Sequence, residues 1–218
     1  ANTTGASNVA VGKGALDVAI DASGNTAVGA EALGASTTQG YNTAIGFNAM
    51  LVAVSGFTGN TAVGNQSLDA LTVGDNNTAV GSASLGVCTT GTSNTAVGTF
   101  SLDAAITASG NTAVGGGSGG GITSGSYNLM LGEDAGNYGV VLADGTRNIC
   151  LGNYVHTSAT DSEKQHVFGY NIAGSGDSTF TFGDGTTDTT CSFGGTTWSA
   201  PSDIRYKEDI QDEVVGLN

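Results

Sequence analysis

Apolar and polar positions recur along this chain with a period far longer than a single helix or strand generates. Asn-x-Ala-(Val/Ile)-Gly begins at Asn8, Asn25, Asn42, Asn60, Asn77, Asn94 and Asn111, in steps of 17, 17, 18, 17, 17 and 17 residues. Two weaker copies, Asn128-Leu-Met-Leu-Gly132 and Asn148-Ile-Cys-Leu-Gly152, follow after 17 and 20 residues. Inside each copy the alternation is that of a short strand: Thr26 and Val28 face one side and Ala27 the other. Four residues after the glycine an aliphatic anchor returns, at Leu16, Leu33, Met50, Leu68, Leu85 and Leu102. The stretches between, such as 34–40 and 86–93, are rich in Gly, Ser, Thr and Asp and read as turns.

Each unit thus predicts strand, short bend, strand, turn. A unit of 17 residues cannot bury a face by itself, so about nine coils over residues 1–155 are expected to stack in register roughly 4.8 Å apart, giving a rod of roughly 40 Å. The predicted class is all-β, a parallel β-roll or β-solenoid. Stacking lines identical residues into ladders. Asn25, Asn42, Asn60, Asn77, Asn94 and Asn111 are assigned a structural hydrogen-bonded ladder, asparagine also tolerating the left-handed backbone of a corner. A three-faced monomeric helix would want an aliphatic residue about every sixth position, and none lies between Leu33 and Ile45. A two-stranded roll is therefore expected, its small-residue Ala face packing three subunits about an axis.

Two stretches break the pattern. Gly115 to Gly121 replaces the anchor with glycines, which suggests a bend, a groove or a narrowed coil; a phosphate-cradling loop would need a following Gly-Lys-Ser/Thr, which is missing. Beyond about residue 155 the period fades into a β-rich neck, 156–200. There Phe168, Phe180, Phe182 and Phe193 are expected to pack between subunits, and Asp184-Gly185 to form a hairpin turn.

Composition sharpens the picture. Of 218 residues 37 are glycine and one is proline, and the 39% hydrophobic content is largely Ala and Val, so each chain has a thin core and association with copies of itself is expected. The net charge of −14 excludes nucleic acid as a partner, and the absence of an eighteen-residue apolar run argues against membrane insertion. The first twenty residues have no basic start with an apolar run, and the missing initiator Met suggests processing or trimming. Cys88, Cys150 and Cys191 are three and far apart; with His156 and His166 they match neither a disulfide framework nor a zinc spacing, and Cys150 occupies the Ala column. The Asp residues do not recur in register, so no calcium or other metal, and no cofactor, is expected.

Asn25-Thr-Ala-Val-Gly29 and its fellows resemble the repeats of trimeric autotransporter adhesin heads of the YadA type, over residues 8 to about 152. That resemblance implies a homotrimer of left-handed parallel β-rolls. At the other end, Trp198-Ser-Ala-Pro-Ser202-Asp203-Ile-Arg205-Tyr-Lys207-Glu-Asp-Ile210 resembles the start of the intramolecular chaperone of phage endosialidases, tailspikes and tail fibres. In that family the chaperone registers three chains and then cuts itself off; matched onto this sequence, Ser202 would be the nucleophile and Lys207 its base. Without the resemblance the same residues, 201–218, read as the start of a short solvated helix capped by Ser202 or Asp203. The match ends with the chain, so this 218-residue form is expected not to cleave itself efficiently.

Together the two resemblances imply a structural or adhesive subunit of a homotrimeric virion fibre, at the virion surface, with other fibre proteins and an unidentified host receptor or glycan as partners. Autocleavage is confined to a longer precursor and no turnover enzyme is expected. The alternatives are a bacterial trimeric surface adhesin, an ice-binding solenoid using the Thr26, Thr43, Thr61, Thr78, Thr95 and Thr112 column, and a polysaccharide depolymerase drawing on Glu31, Glu133, Asp134 and Asp144.

Overall fold

A computed structural model describes residues 4–52, 56–185, 188–195 and 197. Among them the chain is all-β, with twelve strands in one sheet and no helix. The strands are β1 (Val9–Val11), β2 (Thr26–Val28), β3 (Thr43–Ile45), β4 (Thr61–Val63), β5 (Thr78–Val80), β6 (Thr95–Val97), β7 (Thr112–Val114), β8 (Leu129–Leu131), β9 (Ile149–Leu151), β10 (His166–Gly169), β11 (Thr179–Gly183) and β12 (Thr189–Ser192). They stand in sequence order, every pair parallel from β1 to β11, and β12 returns antiparallel on β11. Successive strands pair in the register of the repeat, Thr on Thr, Ala on Ala and Val on Val or Ile. The chain is a β-solenoid. We number its coils by the strand that opens each one.

The alternation decides which face is inside. Ala27, Ala44, Ala62, Ala79, Ala96 and Ala113 have no exposed surface, and Met130, Cys150 and Val167 continue their column inward. The Ala face therefore lies within each chain's own coil and is closed to a neighbouring subunit, contrary to the packing expected from its small side chains. Outward instead go the Thr and Val columns, half-buried to exposed.

One strand per coil is present, not two. The rest of each unit is turn and bend, and the aliphatic anchors sit in those turns: Leu16, Leu33, Met50, Leu68, Leu85 and Leu102 have φ of 48–52°. A left-handed backbone costs a non-glycine residue about 1–2 kcal/mol, whereas burying a leucine gains about 1.5–3 kcal/mol. Burial wins, narrowly, and all six are 6% exposed or less. The face that seemed to be missing is supplied by such corners, together with a buried small column one residue earlier (Ala32, Ala49, Ser67, Ser84, Ser101, Ser118) and a mixed one later (Leu71, Cys88, Ala105, Ile122).

The glycine that ends each strand is required twice over. Gly81 has φ +136°, and a Cβ there would run into the carbonyl oxygen of Gly98 one coil on. The same holds down the column from Gly12 to Gly132. Coil spacing is thus set by glycine backbones in close contact.

Gly115 to Gly121 forms an ordinary coil. Gly117 and Gly119, at φ 63° and 62°, take the two left-handed turn positions that Phe100 and Leu102 fill in the coil before, and the side chain of Leu102 reaches into the space left at Gly119. Coil 8 solves the same problem differently: Gly136 stands at the anchor position, and Met130, in the Ala column, lies where a side chain on Gly136 would begin.

The ladder also runs past residue 155. Gln165-His-Val-Phe-Gly169 repeats the unit with glutamine in place of asparagine, and β10 and β11 extend the parallel sheet without a break. Phe168 and Phe180 stack edge to face at 4.8 Å, and Phe193 against His166 at 4.7 Å, within the chain. The β11–β12 pair is an antiparallel hairpin with Gly185 at φ +81° in its turn.

Candidate functional site

The asparagine ladder is a buried structural device. The Asn77 backbone N–H donates to Asn60 Oδ1 at 2.8 Å, and its Nδ2 donates to Asn60 Oδ1 at 3.2 Å and to the Gly91 carbonyl at 2.8 Å. The pattern repeats at Asn94, Asn111, Asn128 and Asn148, and Gln165 donates its backbone N–H to Asn148 Oδ1 at the end. No asparagine of the ladder takes the left-handed backbone; the residue before it does, as Tyr41, Asn76 and Ser93 at 58–60°. Among the described residues no buried side-chain nitrogen or oxygen lacks a partner.

Chemistry that the fold does not require is concentrated on the bend after each strand. Two outward positions there vary freely from coil to coil. One runs Glu31, Asn48, Gln66, Ala83, Phe100, Gly117, Asp134, Tyr154; the other, three residues later, runs Gly34, Leu51, Asp69, Gly86, Asp103, Gly120, Asn137. In coil 5 both are small at once, Ala83 and Gly86, and coils 4 and 6 keep Gln66 with Asp69 and Phe100 with Asp103. A groove of about 240 Å³ opens there, lined by these six and by Val87. Phe100 is 53% exposed beside it. Burial raises the carboxyl groups of Asp69 and Asp103 above the usual range, against hydrogen bonds from their own and the following backbone N–H.

Further along the same bend stand three tyrosines. Tyr138 and Tyr154 have ring centroids 5.0 Å apart, and Tyr154 and Tyr170 6.0 Å. The nearby charge of Glu133 pushes the Tyr154 phenol up. On the far side, Asp144 accepts hydrogen bonds from Thr123 and Ser124 hydroxyls at 2.8 and 2.7 Å, which holds its carboxyl down.

The four carboxylates weighed for glycoside cleavage are not brought together. Glu31 stands in coil 2 and Glu133 and Asp134 in coil 8, six coil spacings or about 29 Å away. Ser202 and Lys207, with the whole of 201–218, lie outside the described residues. Cys88 and Cys150 are buried and free, their thiols pushed up to about 11 and about 12 by desolvation, as unreactive core groups would be. Among the described residues no group of three His, Cys, Asp or Glu side chains could hold a metal ion, and no helix is long and apolar enough to cross a membrane.

Sequence reasoning missed the groove. Its signal was partly present: both variable columns shrink between large neighbours at Ala83 with Gly86 and again at Gly117 with Gly120. Only the structure shows that side chains of Asp103, Asp134 and Asn137 lie over the second gap and leave the first open. No protein-family model, curated protein or solved structure matches this chain.

Proposed function

We propose that this chain is the repeat segment of a homotrimeric virion fibre: a rigid structural and adhesive shaft that presents the bends of its coils to a host surface. The observation that carries the reading is the outward face of the sheet. Its Thr and Val columns run the length of the solenoid without an Asp, Glu, Lys or Arg, and Val11, Ile45, Val97, Leu131 and Phe182 stay 36–57% exposed. Ten strand spacings make the face about 48 Å long and its three-residue strands make it about 10 Å wide, roughly 480 Å² in projection, a large part of the roughly 800 Å² per partner that a stable interface buries. A strip so long, flat and uncharged is a liability on a chain that is alone. Three copies turning it inward enclose a common apolar core, and the acidic bends remain outside.

The trimer is tested by native mass in dilute buffer, where 3 × 21.3 gives 63.9 kDa against 21.3 kDa for one chain. Val63→Lys with Val97→Lys, placed mid-face, is expected to give the single-chain mass with the β signal retained; a single-chain mass for the unaltered protein would overturn the reading. The terminal Ser202 and Lys207 motif adds maturation by self-cleavage in a precursor that continues past Asn218. Mass spectrometry of such a precursor should show a cut product that Ser202→Ala abolishes.

A further inference from the structure

We propose that the groove across coils 4 to 6 is a subsite for one uncharged pyranose residue of a glycan. The proposal deepens the adhesive reading above and rests on it for its biological setting. A pyranose has an apolar face of C–H groups and a rim of hydroxyls. Phe100 supplies a half-exposed ring for the face, the Gln66 amide both donates and accepts, and Asp69 and Asp103 accept from hydroxyls.

The spacing selects the ligand class. Asp69 and Asp103 occupy the same position two coils apart, about 9.6 Å of rise, with only Gly86 between. Two carboxylates so placed can grip opposite edges of one ring but cannot share a cation. No Lys or Arg lines the groove and the chain carries −14, so sialylated or phosphorylated sugars are repelled. Desolvated carboxylates suit hydroxyl donors, whose hydrogen bonds strengthen away from bulk water.

The site needs no rearrangement. Ala83 and Phe100 share one left-handed backbone position, at φ 52° and 56°, so a rigid corner aims the ring, and the same corner accepts alanine or phenylalanine. That equivalence supplies the test, because Ala83→Phe fills the groove with a residue the column already accommodates, and Phe100→Ala removes the platform.

The unaltered protein and both variants would be passed over an immobilised panel of neutral, N-acetylated, sialylated and phosphorylated oligosaccharides, with polylysine as a cationic probe. Retention by neutral or N-acetylated members is expected, weakened at least about tenfold in each variant, with circular dichroism and melting temperature unchanged. The proposal falls if no sugar is retained, if both variants bind as the parent does, or if only charged sugars or polylysine bind. Native mass on the same samples separates the two readings: a trimer without sugar binding overturns the groove alone, and a single chain that binds in the variant-sensitive way overturns the fibre alone.

Discussion

At the scale of single residues, the ladder position Asn77 serves three neighbours at once. Its Nδ2 satisfies the Gly91 carbonyl, and its Oδ1 accepts from the Asn94 backbone N–H at 3.0 Å and from Asn94 Nδ2 at 3.1 Å. Asn77→Ala strands at least one buried carbonyl and one buried N–H, so a loss of about 2–4 kcal/mol in denaturant unfolding is expected. The outward Thr78→Ala should shift the same measurement by under about 0.5 kcal/mol. Gly81→Ala combines an unfavourable backbone with a clash against the next coil and should cost about 3 kcal/mol or more. Asp69 and Asp103 act through pH. Because burial raises their native pKa, the native state holds their protons more tightly than the unfolded chain does. Their stabilising contribution is full below the ordinary carboxylate range and is lost as pH rises through the raised values. Melting temperature should therefore fall as pH rises above the ordinary carboxylate range, and fall less in the Asp69→Asn, Asp103→Asn double variant.

At the scale of the coil, the interior is solved by pairs of positions rather than by single columns. Coil 8 exchanges the usual small strand residue and large anchor for Met130 and Gly136. Met130→Ala alone should leave a cavity and cost about 2–4 kcal/mol, and adding Gly136→Leu should restore most of that loss, a coupling that a double-mutant cycle in urea reads directly. The strand was legible in the sequence, because Asn-Thr-Ala-Val-Gly has period two and the repeat fixes its register. The second strand was not there to be found: a buried leucine at φ near 50° has no sequence signature, since leucine ordinarily avoids that backbone. The inward side of Thr-Ala-Val was misassigned to a subunit contact for a related reason. Alanine marks a tight space equally well inside a coil or between chains, and only the closed turn shows which. Coil 10 is hidden in the sequence because Gln165 replaces the asparagine that marks every earlier repeat, although its backbone N–H donates to the ladder at Asn148 Oδ1 just as an asparagine's does.

At the scale of the whole molecule, every coil touches its two neighbours and little else, and each strand lies across the long axis. That arrangement has a mechanical consequence. Tension applied along the rod does not shear all the ladders together; it loads the bonds of one coil boundary at a time, as in opening a zip. Each coil that yields pays out 17 residues, roughly 58 Å of extended chain, in exchange for about 4.8 Å of rod. Optical-tweezers extension of a single chain should show a train of small, near-equal steps of about 53 Å. One large cooperative rupture would mean that coils unfold together. A shaft that gives way coil by coil behaves as a ratcheted tether: it lengthens under a pull on one end while the coils that have not yielded keep their shape.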